Sequence, residues 1–321
     1  MSRFDVTSIG ETLIGLSAYP GTRLEDADQL TVHTGGAETN VLAALCRLGH
    51  RCGWIGGLAE NDLGRRVAND LRRAGIDISS AFRCSSLRMG VYYIEHAAGP
   101  LVTRVVYDRD ASCASSIRPD MVDWDTLFDT RFVHLTGVTP ALSPSALATV
   151  QDVVRDAGAE GVKISFDVNY RAKLWTADQA ARTLEPLIEN VDLLICSHRD
   201  AVLLFGCDRD PYLAVRQLAD RTTADHVVLT RGDQGAMATD GSSMFEEAVL
   251  PVVPVDRLGA GDAFAAGVLH GVLNDDIQRG LSYGTVLASL ALGQKGDMVT
   301  TNLDEVARLS NVLSTTGEVD R

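Results

Sequence analysis

Asp256-Arg257-Leu258-Gly259-Ala260-Gly261-Asp262-Ala263-Phe264 runs from a glycine loop into an apolar stretch that continues to Leu273. Small residues let a backbone come close to a ligand. The free amides at a helix start, with the dipole behind them, suit an anion such as a migrating phosphoryl group. Asp262 lies at the same junction, where the dipole would keep its carboxylate ionised and able to take a proton from an attacking hydroxyl. An N-capping Asp after a flexible turn fits the same spacing, and this motif alone leaves both readings open.

Three other stretches carry polar groups at comparable junctions. Gly35-Gly36-Ala37-Glu38-Thr39-Asn40 precedes a helix, where close backbone approach and the Asn40 amide suit a polyhydroxylated ligand; taken alone, a turn and cap explain it as well. Thr230-Arg231-Gly232-Asp233-Gln234-Gly235 offers a hydroxyl, a guanidinium and glycine amides that could hold the polyphosphate of ATP. It lacks the Gly-Lys-Ser/Thr ending of a Walker A loop, and the chain has no dinucleotide fingerprint with its downstream ribose acid. Asp167-Val168-Asn169-Tyr170-Arg171 sets a carboxylate, an amide and an arginine just past a strand, and Arg171 fits either bidentate pairing with a substrate carboxylate or an ordinary surface ion pair.

These groups need a scaffold. After residue 36, short apolar runs alternate with longer amphipathic stretches, which predicts strand-helix units and an α/β fold with a parallel sheet. Phe132–Leu135, Ile164–Asp167, Leu193–Cys196 and Val227–Thr230 read as buried parallel strands. Ligands of such sheets bind at the carboxyl ends of the strands, so Asp167 to Asn169, Ser197 and Thr230 to Gly232 should share one rim. Val41, Leu42, Leu45 and Leu48 form a helical stripe closed by Gly49, and Leu63, Val67 and Leu71 form another closed by Gly75. Segments of about 11–34 and 87–113 break the alternation; the second reads as a hairpin, Val91 to Glu95, a Gly99-Pro100 turn, then Val102 to Tyr107. A flap of this kind suits either a lid over a crevice or a plain structural or dimerising hairpin.

The whole of 1–321 is expected to be one domain. Apolar residues make up 45% and charged residues 22%, which suits a soluble enzyme with a sizeable core. A net charge of −14 makes nucleic acid a poor partner and obliges any ATP site to build its own positive potential. Six cysteines without metal-ligand spacing point to free thiols in a reducing compartment. With no apolar leader and no stretch long enough to span a membrane, the expectation is a cytoplasmic protein.

Gly35-Gly36 with Asn40, then Gly56-Gly57 with Asp62 and Gly64, then Gly259-Ala260-Gly261-Asp262, in this order, resemble the ribokinase-like (PfkB) carbohydrate kinase family across nearly the whole chain. The resemblance implies a three-layer α/β/α fold with a mostly parallel central sheet and a small β-sheet lid. It also implies Asp262 as catalytic base, Gly259, Ala260 and Gly261 as an anion hole, and an ATP site that includes Asn169, Ser197, Thr230, Arg231, Gly232 and Gly235. Gly90 to Glu95, Tyr107-Asp108-Arg109, Asp167 to Trp175 and Lys295-Gly296-Asp297 are most similar to 2-keto-3-deoxygluconate kinases. By that likeness Gly35, Gly36, Asn40, Tyr92, Tyr107, Arg109, Arg171 and Asp297 would hold a sugar acid, the two arginines facing its carboxylate.

ATP and Mg²⁺ are the implied cofactors, and relatives suggest a homodimer. Two departures stand out. Asp256-Arg257-Leu258 replaces the family's Asp-Thr-Thr before the glycine loop, which leaves a monovalent-cation site without its usual residues. Ser197 and Asp200 replace its Asn-x-x-Glu, so Asp200 would meet Mg²⁺ through water. A kinase for fructose, another neutral sugar or a nucleoside is the alternative within the family; a non-catalytic sugar sensor is the alternative outside it.

Overall fold

The computed structural model describes residues 2–96 and 103–314. In chain order the first strands are β1 (Val6–Ile9), β2 (Leu13–Ser17), β3 (Thr31–Gly35), β4 (Cys52–Ile55), β5 (Gly57–Ala59), β6 (Phe82–Cys84) and β7 (Val91–Glu95). Then come β8 (Arg104–Asp108), β9 (Phe132–Thr136), β10 (Lys163–Asp167), β11 (Leu193–Ser197), β12 (His226–Thr230), β13 (Ala236–Thr239) and β14 (Met244–Glu247). The helices are α1 (Ala37–Arg47), α2 (Asp62–Arg73), α3 (Trp124–Phe128), α4 (Pro144–Ala157), α5 (Ala177–Ile188), α6 (His198–Phe205), α7 (Pro211–Ala219), α8 (Ala260–Leu273), α9 (Ile277–Leu292) and α10 (Leu303–Ser314).

An eight-stranded sheet has the order β14-β13-β12-β11-β10-β9-β1-β4, parallel from β12 to β4 and antiparallel at the β13 and β14 edge. Strands buried on both faces are apolar throughout, as in Leu193 to Cys196. One core packs α1, α2, α8 and α9 on one face, and a second packs α4, α5, α6 and α7 on the other. This is the expected three-layer α/β/α architecture with a mostly parallel central sheet.

The two irregular segments meet in a four-stranded sheet of order β3-β2-β7-β8. The expected hairpin pairs β7 with β8 antiparallel, while its Gly99-Pro100 turn and Val102 lie outside the described residues. In α2 the predicted stripe needs one correction: Val67 and Leu71 are buried, but Leu63 is 48% exposed. Gly64 takes the inward position, where a Cβ would sit 2.0 Å from the Ala59 carbonyl oxygen. The six cysteines are free. No helix among the described residues is long and apolar enough to cross a membrane.

Helix α8 is buried along nearly its whole length and packs on α9 through glycines. A Cβ on Gly267 would lie 2.2 Å from the Gly284 amide nitrogen, and one on Gly271 would lie 2.3 Å from Gly280 Cα. Backbone against backbone leaves nothing that can rotate aside. Gly267→Ala should therefore destabilise the protein by about 1–3 kcal/mol, as overpacking does; an unchanged midpoint of denaturant unfolding would contradict this packing account.

Candidate functional site

Gly259 stands before the first turn of α8 with φ 71°, a left-handed conformation that favours glycine. Its Cα also presses on the backbone of Asp297, whose carbonyl oxygen would be 2.1 Å from an added Cβ. Gly259 thus occupies the cap position, and the capping reading of Asp262 is set aside. The Asp262 carboxylate is 5% exposed; Oδ2 accepts from Asn40 Nδ2 at 2.7 Å, and Oδ1 accepts from Asn169 Nδ2 at 3.2 Å. Asn40 comes from α1. Asn169 follows β10 with φ 38°, and it also donates from its backbone and side-chain nitrogens to the two Asp167 oxygens at 3.1 and 3.0 Å.

At Asp262 burial works against the charge that the dipole favours. Burial raises its pKa above the ordinary carboxylate value, opposed by Arg171, Asn40 and Asn169. Two neighbours behave alike: burial first, then the Asp262 charge, raises Asp167 to about 7, and burial raises Asp297 to about 7 with Asp262 and Asp256 adding to it.

From Asp262 a cavity of about 1180 Å³ follows the carboxyl ends of β10, β11 and β12. Asn169, Arg171, Ser197, Asp200, Thr230, Arg231, Gly232, Gly259, Gly261 and Asp262 all line it, so the sequence-predicted rim comes together. Ser197 caps α6 by accepting the Asp200 amide at 3.0 Å. Asp200 is 6% exposed, and its Oδ1 has no hydrogen-bond partner; Arg199 Nε stands 3.5 Å away. An orphaned carboxylate oxygen at a cavity wall fits a hydrated Mg²⁺ brought in by a nucleotide.

Other predicted residues are placed differently. Arg231 Nη2 reaches Glu246 Oε2 at 3.3 Å, so part of its charge is engaged. Gly235 is not in the cavity wall: a Cβ there would meet the Glu247 carbonyl oxygen at 2.1 Å. Ala260 packs toward the core, and Gly36 lets the backbone pass the Glu11 carbonyl, 2.2 Å from where a Cβ would be.

Of the predicted acceptor residues, Gly35, Tyr92 and Tyr107 lie on the small sheet. Strand register sets His33, Gly15, Tyr92 and Tyr107 in one cross-strand row, and the Tyr92 and Tyr107 rings are 6.1 Å apart. Gly35, two residues after His33, abuts Asp297, whose Oδ2 would be 2.5 Å from an added Cβ. Arg109 lies over the Tyr107 ring, but it does not carry a free charge: it is 8% exposed and ion-paired with Glu11, itself 2% exposed. Ser112 Oγ donates to the other Glu11 oxygen at 3.0 Å. Of the two arginines expected to face a carboxylate, only Arg171 is left exposed at the cavity. The sequence reading passed over Glu11 and His33. The available signals were a charge two residues after a buried strand and the two-residue period that puts His33 on the same face as Gly35.

The sequence profile described as pfkB family carbohydrate kinase matches residues 3–304. A 2-dehydro-3-deoxygalactonokinase of Haloferax volcanii is 35% identical over 306 residues, covering 95% of this chain and 96% of that protein. A 2-dehydro-3-deoxygluconokinase of Thermoproteus tenax is 33% identical, covering 91% of this chain and 89% of that protein. The crystal structure of the 2-dehydro-3-deoxygluconokinase of Thermotoga maritima superposes with a TM-score of 0.90 at 28% identity, covering 96% of this chain and 98% of that one.

The buried carboxyls have a consequence for stability. Burial raises Asp167, Asp297 and Glu38 each to about 7 in the folded state, from ordinary carboxyl values of 3.8, 3.8 and 4.5. The folded state then holds the extra protons, so their contribution is present below the unfolded values and is lost as pH rises through 7. Buried histidines such as His134 and His270 oppose this only below their unfolded pKa, about 6.5. The melting temperature of the ligand-free protein should accordingly fall between pH 6.5 and 8, and Asp297→Asn should flatten the slope; a melting temperature that rises over this interval would contradict the assignment.

Proposed function

The chain belongs to the pfkB family of carbohydrate kinases and is a phosphotransferase with an alcohol group as acceptor, and from this premise we propose that it uses ATP to phosphorylate the terminal hydroxyl of a 2-keto-3-deoxy sugar acid, with Asp262 as base. The observation that carries the proposal is the Asp262 carboxylate, held by two amides in the wall of the cavity. Kinase descriptions throughout the relatives displace the non-catalytic sensor.

In this reading the nucleotide lies along the carboxyl ends of β10 to β12, with its γ-phosphoryl at the start of α8. Amides of the Gly259–Gly261 turn stabilise charge on the transferring group, and the exposed Arg257 guanidinium stands beside the same turn. Mg²⁺ bound with ATP would sit against Asp200 and supply charge neutralisation of the phosphates. The acceptor lies under the small sheet, which limits access of water to the phosphoryl group. Its terminal hydroxyl gives up a proton to Asp262 as its oxygen attacks the γ-phosphorus and ADP leaves with the bridging oxygen. The raised pKa strengthens Asp262 as a base, while Asn40 and Asn169 keep it oriented. The substrate carboxylate is assigned to Arg171, with Arg109 contributing N–H donors but no net charge because Glu11 offsets it.

ATP-dependent phosphorylation of 2-keto-3-deoxygluconate and its galactonate epimer, beside fructose, ribose and adenosine with Mg²⁺ present, tests the reading. Preference for either keto acid is expected; preference for a neutral sugar would keep the fold and Asp262 but cancel the substrate. Asp262→Asn should retain ATP binding and lose roughly 10²–10⁴-fold in turnover, and near-normal turnover would remove Asp262 from the base role. The arginines should separate. Arg171→Ala should raise KM for the acid by about 10- to 100-fold, the loss of one charge-assisted contact. Arg109→Ala should instead cost stability, by about 3–5 kcal/mol, because it strands a buried Glu11 charge. Equal KM effects without loss of stability would overturn that division.

A further inference from the structure

On the site-facing side of the small sheet, His33 is one polar residue left without a role. Its Nε2 and Asp297 Oδ1 are both buried and have no hydrogen-bond partner, while the Tyr92 hydroxyl interacts with the Asp297 carboxyl. His33 Nε2 stands 3.5 Å from Asp297 Oδ1, beyond a good hydrogen bond but near enough for a single oxygen atom to bond both. The His33 and Tyr92 rings meet edge to face at 5.7 Å. They fit because Gly15 lies between them: a Cβ there would be 2.2 Å from His33 Nε2 and 2.7 Å from Tyr92 Cζ. Leaving two polar atoms unsatisfied side by side in one buried place is costly, and it is explained if a ligand supplies the missing partner.

We infer that His33 and Asp297 together bind one secondary hydroxyl of the acceptor and set the enzyme's preference between epimeric sugar acids. A hydroxyl both donates and accepts, so it can accept from an imidazole N–H and donate to a carboxylate. Burial keeps His33 neutral at pH 7, which leaves one ring nitrogen protonated without adding charge. Asp297 is also the residue that touches both Gly35 and Gly259, so this position lies between the small sheet and the glycine loop. With the terminal hydroxyl at Asp262 and the carboxylate at Arg171, the carbon chain between them is presented in one orientation. Inverting the stereocentre at which the gluconate- and galactonate-derived acids differ turns the hydroxyl away and leaves both buried groups unpaired. Sites built to bond a hydroxyl discriminate strongly against a substrate that does not present it.

The inference rests on the sugar-acid reading above. Its test is the ratio of kcat/KM for the two epimers in wild type, His33→Gln and His33→Phe, with KM for ATP measured alongside. His33→Phe is expected to change the ratio by more than threefold, mainly through acceptor KM, with KM for ATP within twofold of wild type. Gln, which keeps a donor, should recover part of the difference. A ratio within threefold of wild type in both variants overturns the inference and leaves the sugar-acid reading intact. Wild type inactive on both acids but active on a neutral sugar removes that reading, and this inference with it. Should the variants fail to fold, nitrogen NMR of wild-type His33 decides: its Nε2 resonance should shift on adding the preferred epimer without ATP, and no shift overturns the inference.

Discussion

A carboxylate held by two neutral amides is the constraint around which the molecule is arranged. Asp262 accepts from Asn40 and Asn169, which arrive on α1 and on the turn after β10, while Asp262 itself rides on α8. Three strand-helix units must therefore be fixed relative to one another to within hydrogen-bond tolerance. Amides suit this task better than cations. A directly paired lysine or arginine would satisfy the carboxylate but lower its pKa and weaken it as a base, whereas Asn donors orient it and leave burial to raise the pKa. The glycine contacts between α8 and α9 serve the same end, because backbone packed on backbone allows little adjustment of the helix that carries Asp262.

Charge is distributed along the cavity in keeping with a phosphoryl transfer. The Asp262 charge raises both Asp167 and Asp297 at one end, and Arg171 acts on all three carboxyls. Arg199, Arg209, Arg231 and Arg257 line the cavity with the amides of the glycine turn. A chain with net charge −14 thus builds local positive potential where a polyphosphate is proposed to lie, and keeps proton-accepting carboxylates where hydroxyls are proposed to lie. Engagement of Arg231 by Glu246 and Arg199 by Asp200 moderates that potential, which favours a ligand that brings its own cation.

The sequence made the central sheet legible because buried parallel strands are short apolar runs ending in polar residues, as Leu193 to Ser197 shows. The nucleotide-side rim was legible for the same reason: once those strands are parallel, their carboxyl ends must align, and Ser197 pairs in register with Thr230. Leu63 misled because a spacing of four fits a helical stripe while Gly64, with no side chain to announce itself, takes the buried place. Pairing across distant segments was beyond the sequence's reach. Nothing local in Gly10-Glu11-Thr12 says that its carboxylate will neutralise Arg109, 98 residues away. His33 was missed because a single histidine in a strand has no signature until the neighbouring strands put Tyr92 and Asp297 beside it.

Asp297 joins the two halves of the site. Its carbonyl presses on Gly259 at the start of α8, and its carboxyl presses on Gly35 at the end of β3. The loop leading to Gly259 is pinned as well: Asp256 Oδ1 accepts the amides of Arg257 and Leu258, its Oδ2 accepts that of Gly296 at 3.4 Å, and Leu258 packs on Leu13, Tyr92 and Ile94 of the small sheet. A shift of that sheet is therefore transmitted by contact to the turn whose amides are assigned to the phosphoryl group. Gly259 and Gly35 cannot be replaced by larger residues without separating these parts, because each is in contact with Asp297 and Gly259 also needs its left-handed φ. The small sheet and the glycine loop consequently form one mechanical unit, in which seating an acceptor against the sheet also positions the amides that would stabilise its reaction.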